Sequence, residues 1–197
     1  EKGEIEGSEV NIKHYIGEMY FLRAKNYLSK LETFGDFPII KNTLPDENEP
    51  LTQASKREPR HKVARFILED LDQTIGLLTN NISGGKNRIT KNAALLLKSR
   101  AALFEASWLT YHRGTALVPG GSGWPGKAED IADFNIDTEI AFFLKEAKEA
   151  AKEVIGNAAL MQNTAKDCMD ETVKTDEDKY KMSNPYFAQF SANSLEG

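Results

Sequence analysis

The heptapeptide GSGWPGK, Gly121 to Lys127, comes nearest to a catalytic signature, because it satisfies the G-x-x-x-x-G-K pattern of a phosphate-cradling loop. Its chemistry does not follow the pattern. Ala128 stands where such a loop needs a Ser or Thr for magnesium, Pro125 lacks an amide that a phosphate would use, and no strand-like stretch precedes it. What is left is Trp124, flanked by glycine and proline with little nearby to pack on, so its indole plane is expected to be exposed. Exposed aromatic planes suit the apolar faces of sugar rings, and Tyr111 and His112, at the entry to the same loop, are candidate hydrogen-bond partners for a sugar. Trp124 as a mere anchor for its loop is the competing reading.

Other chemistry finds less support. His14, His61 and His112 are far apart and lack an H-E-x-x-H or cysteine partner at ligand spacing, so no metal and no cofactor are expected. The carboxylates of EDLD (69–72) and AEDIAD (128–133) read as solvated helix faces, and nothing marks the paired acids of a glycosidase, so no enzymatic activity is expected. Arg23 and Arg100 interrupt apolar stretches. A buried arginine must be paired, and Glu18, Glu105 and Asp70 are the natural partners. Trp108 falls on an apolar helix face and is expected in the core.

Composition sets the frame for these residues. A chain of 197 residues, 40% of them hydrophobic, fits a single domain with a continuous core. No apolar run reaches the length of a membrane span. A formal net charge of −5 argues against nucleic acid, whose binders gather lysine and arginine into a basic patch. The single cysteine, Cys168, excludes an internal disulfide. The start at Glu1, with no methionine or leader, and the aromatic cluster Tyr186, Phe187 and Phe190 close to Gly197, suggest a piece of a longer protein.

The elements that must position these residues are helices. Ile16, Met19, Tyr20, Ala24, Tyr27, Leu28, Leu31 and Phe34 recur at three- and four-residue steps and predict a helix over about 10–34. Gly35 and Pro38 stop it, and the chain turns out with Phe37 beside Phe34. A long loop over 39–58 follows. Helices are expected over about 59–78, with Pro59 in the first turn, and over 90–112, with Thr90 as N-cap. The face of the latter is read as Ala93, Leu96, Leu97, Ala101, Phe104, Trp108 and Tyr111. A Gly/Pro-rich loop over 114–136 precedes a fourth helix over 137–155, and a short helix near Met161 to Met169 is possible. Starts about thirty residues apart approach the tetratricopeptide period. The fold class is therefore all-α, a tetratricopeptide-like helical-repeat scaffold with long surface loops, in one domain over 1–197.

Three stretches, in this order and spacing, resemble one family: YIGEMYFLRAKNYLSKLETFGDFPII, FILEDLDQTIGLL and RITKNAALLLKSRAALFEASWLTYHRG. They are similar to the SusD/RagB family of glycan-binding outer-membrane lipoproteins of Bacteroidetes. The family pairs an aromatic-Leu-Arg-Ala helix with a Gly-Asp-hydrophobic-Pro stop, here Phe21 to Ala24 and Gly35 to Pro38. Its next blocks match Leu68 to Leu71 and Lys98 to Ala101. NPYFAQFSANSLEG also resembles a following segment of some members. The resemblance covers the N-terminal to middle portion of a member. It implies a helical scaffold on the extracellular face of the outer membrane, lipid-anchored upstream of Glu1. Such a protein captures oligosaccharide or polysaccharide and passes it to a SusC-like TonB-dependent transporter. Phe34 and Phe37 are then expected to anchor the 39–58 loop. A helical-repeat scaffold for protein partners, without its own sugar site, is the alternative.

Overall fold

A computed structural model describes residues 7–80 and 87–158 of the chain. Cys168, the segment near Met161 to Met169 and the aromatic cluster at 186–190 lie outside the described residues. Five α-helices are described: α1 (Glu9–Phe34), α2 (Asn48–Ala54), α3 (Arg60–Leu77), α4 (Lys91–Tyr111) and α5 (Ile136–Asn157), with a 3₁₀ turn at Ala128–Ile131. No strand forms among the described residues; Phe37 and Glu58 make one isolated antiparallel bridge. The fold is all-α and of helical-repeat type. No described helix is long and apolar enough to cross a membrane.

Local chemistry sets the helix ends. Gly35, at φ 70°, takes a conformation that a side chain would resist, and its amide closes on the Leu31 carbonyl at 3.0 Å. Pro59 precedes α3 with its ring already near helical φ. Thr90 accepts from the Ala93 amide at 3.2 Å and Asn135 from the Thr138 amide at 3.0 Å, so α4 and α5 begin at side-chain caps. The loop expected over 39–58 is not irregular throughout, since α2 occupies its centre.

The four long helices pack in chain order, α1 on α3, α3 on α4 and α4 on α5, each antiparallel to the last. One core joins them: Ala24, Leu28 and Leu31 of α1, Val63, Ile67 and Leu71 of α3, Ala101, Ala106 and Leu109 of α4, and Phe143 of α5. Fully burying a leucine or phenylalanine stabilises the fold by about 1.5–3 kcal/mol, so this cluster is the main favourable term.

Two helix faces differ from the expected ones. On α1, Ile16, Met19 and Phe34 point outward, while His14 and Gly17 join Ala24, Leu28 and Leu31 inside. On α4, Leu96 and Tyr111 are exposed, and Ala94, Leu95, Lys98, Ala102, Glu105 and Ala106 are buried. Small residues select the close-packed side. A Cβ on Gly17 would come within 2.8 Å of Leu78 Cδ2, and Thr74 Oγ1 donates to the Gly17 carbonyl at 3.2 Å. Both helices are apolar around much of their circumference, so a period of 3.6 fits more than one face.

Charged pairs bind neighbouring helices together. Arg23 donates to both Asp70 oxygens at 2.7 Å, joining α1 to α3. Arg65 reaches both oxygens of Glu139, and Lys98 bridges Asp72 of α3 to Glu146 of α5. Arg100 differs from the expectation: it lies exposed on the outside of α4 and has no ion pair or hydrogen bond among the described residues. Glu105 serves Arg60, and Glu18 serves Arg88.

Candidate functional site

The ends of α1 and α4 and the starts of α3 and α5 lie at one end of the stack, and both long loops converge there. The first loop is closed at its base, where Phe37 and Glu58 exchange backbone hydrogen bonds of 3.1 and 3.2 Å. The Tyr27 hydroxyl accepts from the Ile40 amide at 2.8 Å, and Phe37 stacks on Phe34 with centroids 5.9 Å apart. The Gly-Asp-Phe-Pro stop thus launches a pinned loop.

The second loop runs through successive turns from His112 to Trp124. Val118 and Pro119 plug it into the core end. Gly121 passes so close to the Thr115 carbonyl that a Cβ would lie 2.0 Å from its oxygen. Trp108 Nε1 donates to the Leu117 carbonyl at 3.1 Å, fixing the loop over α4. Farther on, Lys56 Nζ meets Asp130 Oδ1 at 2.8 Å and ties the first loop to the 3₁₀ turn. Lys56 raises its own proton affinity through that bond and lowers that of Asp130.

Between the loops lies an open cleft of about 460 Å³, bordered by Phe34, Arg57, Trp108, Leu117, Trp124 and Lys127, among others. Trp124 is half-buried, not free. Its Nε1 donates to Asp36 Oδ2 at 2.8 Å, and Gly126 sits against its six-membered ring. Arg57 and Glu32 line the same cleft, are exposed, and have no ion pair or hydrogen bond among the described residues. Arg60, also in the cleft lining, stacks 4.3 Å from the Trp108 ring centroid and forks onto buried Glu105. Burial raises the Glu105 pKa, against the lowering effect of Arg60.

The structure separates the three residues proposed for sugar contact. Trp124 lines the cleft. His112 does not; its ring packs 4.3 Å from that of Trp108. Tyr111 is 84% exposed and also lies outside the lining. Trp108, expected in the core, is partly buried and borders the cleft. The sequence pattern does not single out Asp36, Arg57 or Glu32. Only Asp36 carried a local signal, its place in the Gly-Asp-Phe-Pro corner.

The phosphate-loop pattern has no phosphate geometry. The Trp124 amide is spent on the Gly121 carbonyl, and Lys127 Nζ lies 3.4 Å from Glu129. The histidines sit in three places: His14 is buried 3.6 Å from Glu18, His61 packs on Phe134, and His112 packs on Trp108. No group of three potential metal ligands forms among the described residues.

Stacked helices with a loop-built cleft at one end define an all-α helical-repeat fold. No family model matches the chain, and no curated protein matches it. Among solved structures it is similar to a SusD-like protein from Bacteroides fragilis. The TM-score is 0.55 at 20% identity, over 81% of this chain and 24% of that one. A second solved structure aligns with a TM-score of 0.49 at 21% identity, over 81% of this chain and 26% of the other. The chain therefore carries a SusD-like fold and spans about a quarter of the length of the SusD-like structure it matches.

Proposed function

We propose that this chain is the helical part of a non-catalytic glycan-capture protein, and that the cleft between its two long loops takes part in holding the sugar. The observation that carries the reading is the indole of Trp124, held by Asp36 in the lining of an open cleft that Trp108 and Phe34 also border, with Arg57 and Glu32, unpaired among the described residues, in the same lining. Aromatic faces offer the apolar contact a sugar ring uses, and unspent polar groups fix its orientation. His112 packs its ring on Trp108, and Tyr111 is exposed at the end of α4. The sequence resemblance and the SusD-like fold support the cellular setting: a lipoprotein on the outer face of the outer membrane that delivers oligosaccharide or polysaccharide to a SusC-like TonB-dependent transporter. A tetratricopeptide-like scaffold is the architecture that this role would use.

One observation favours the second reading, a scaffold for protein partners. Leu96, Leu103 and Phe104 flank Arg100 in a shallow groove along the outside of α4, where Leu96 and Leu103 are more than half exposed. Affinity gel electrophoresis against a panel of polysaccharides, with Arg57→Ala and Leu103→Asp variants, separates the two. Retardation lost with Arg57 supports the cleft; retardation unaffected by Arg57 moves the sugar elsewhere, and no retardation at all favours the scaffold.

A further inference from the structure

Asp36 divides one carboxylate between two elements that are distant in sequence. Oδ1 accepts the backbone N–H of Arg60 at 2.8 Å, serving one of the α3 amides that have no partner within the helix. Oδ2 accepts the indole N–H of Trp124, 88 positions away, also at 2.8 Å. The far end of the indole is held as well. A Cβ on Gly126 would lie 2.1 Å from Cη2 and 2.2 Å from Cζ2 of the ring, so the Gly126 backbone packs directly on it. A ring clamped at both ends cannot turn without breaking a hydrogen bond to a carboxylate, which is among the stronger kinds.

The rest of the loop has its own fasteners. Trp108 holds Leu117, Val118 is buried, and Lys56 holds Asp130. None of these depends on Asp36. The Asp36 bond is therefore not needed to keep the loop in place; it sets the plane of one side chain.

We propose that Asp36 is a positioning residue for the cleft: it fixes the Trp124 indole before any ligand arrives, so that this wall of the cleft is preformed and not a closing lid. The corner that ends α1, caps α3 and aims Trp124 is then a single device. Preforming the wall spares a ligand the cost of ordering it. The consequence for binding rests on the glycan reading above, but the positioning itself does not.

The test needs no ligand. In ¹⁵N-labelled protein of native sequence, the Trp124 indole hydrogen exchanges with solvent more slowly than in the unfolded chain. Asp36→Asn, which retains one acceptor, raises that exchange by about tenfold. The unfolding cost of Asp36→Asn is smaller in a Trp124→Phe background, where no indole N–H remains to be lost. An indole exchanging at the unfolded rate in the native protein overturns the proposal, and so does an equal cost of Asp36→Asn in both backgrounds. If these readouts hold while polysaccharides fail to bind, the positioning stands and the glycan reading falls.

Discussion

Arg60 and Glu105 face each other as a buried fork at the cleft, with Arg60 Nη2 2.7 Å from Oε2 and Nε 3.0 Å from Oε1. Their side chains are 3% and 0% exposed, so each charge depends on the other for what water would have given it. The pair ties the start of α3 to the middle of α4, and its guanidinium lies against Trp108.

Removing one partner alone leaves the other uncompensated. Arg60→Met or Glu105→Leu is expected to cost about 3–5 kcal/mol, whereas Arg60→Met combined with Glu105→Leu recovers most of that loss. Urea unfolding of the two single variants and the double variant checks this. Additive costs would mean that the pair acts as two independent packing residues.

The pH dependence of stability should carry a signature of His61. Its ring is buried 4.5 Å from Phe134, and Nδ1 has no hydrogen-bond partner among the described residues. Burial pushes its pKa down to about 4, against the attraction of the Glu139 and Asp133 carboxylates and alongside Lys62 and Arg65. The unfolded chain takes up the proton near pH 6.5, while the folded chain resists it until about pH 4. The neutral imidazole's contribution of about 3 kcal/mol is therefore complete above pH 6.5 and is lost as pH falls towards 4. His61→Phe should flatten the difference between unfolding measured at pH 7 and at pH 4.5. An unchanged difference would assign the acid sensitivity to carboxylates.

Gly126→Ala tests the back of the cleft wall. The added methyl would lie 2.1 Å from Cη2 of the Trp124 ring, which Asp36 holds at its other end, so the indole must move. A loss of about 1–3 kcal/mol in stability is expected, as for overpacking elsewhere, together with a red shift of Trp124 emission in a Trp108→Phe background. Wild-type emission and stability would show that the ring has room the structure does not give it.

The elements were legible in the sequence because their signals are local. Thr90 sits where a cap belongs, Gly35 and Pro38 mark a stop, and three-to-four spacing marks the helices. The inward side of α4 was legible only in part: Ala101 is buried and Leu97, Phe104 and Trp108 pack against the core, but Leu96 and Tyr111 do not. Leu95, Leu96 and Leu97 are consecutive, and only packing against α3 and α5 separates buried Leu95 from exposed Leu96. The buried side also carries Lys98 and Glu105, which a hydrophobic pattern discards.

The candidate site was legible only at Trp124. Its loop announced an aromatic with little nearby to pack on, but its partner Asp36 is 88 positions away and reads locally as part of a helix stop. Arg57 and Glu32 become cleft residues only once the two loops converge. Tyr111 and His112 were placed beside Trp124 by proximity in sequence, yet the end of α4 turns Tyr111 outward and lays His112 on Trp108.

The central claim, that the cleft holds a glycan through Trp124, is tested most directly by a glycan-array screen of this chain beside its Trp124→Ala variant, with helical circular dichroism confirming that both are folded. The account predicts binding to a defined set of oligosaccharides that disappears in Trp124→Ala. Binding that persists in the variant, or a folded chain that binds no glycan on the array, would contradict it.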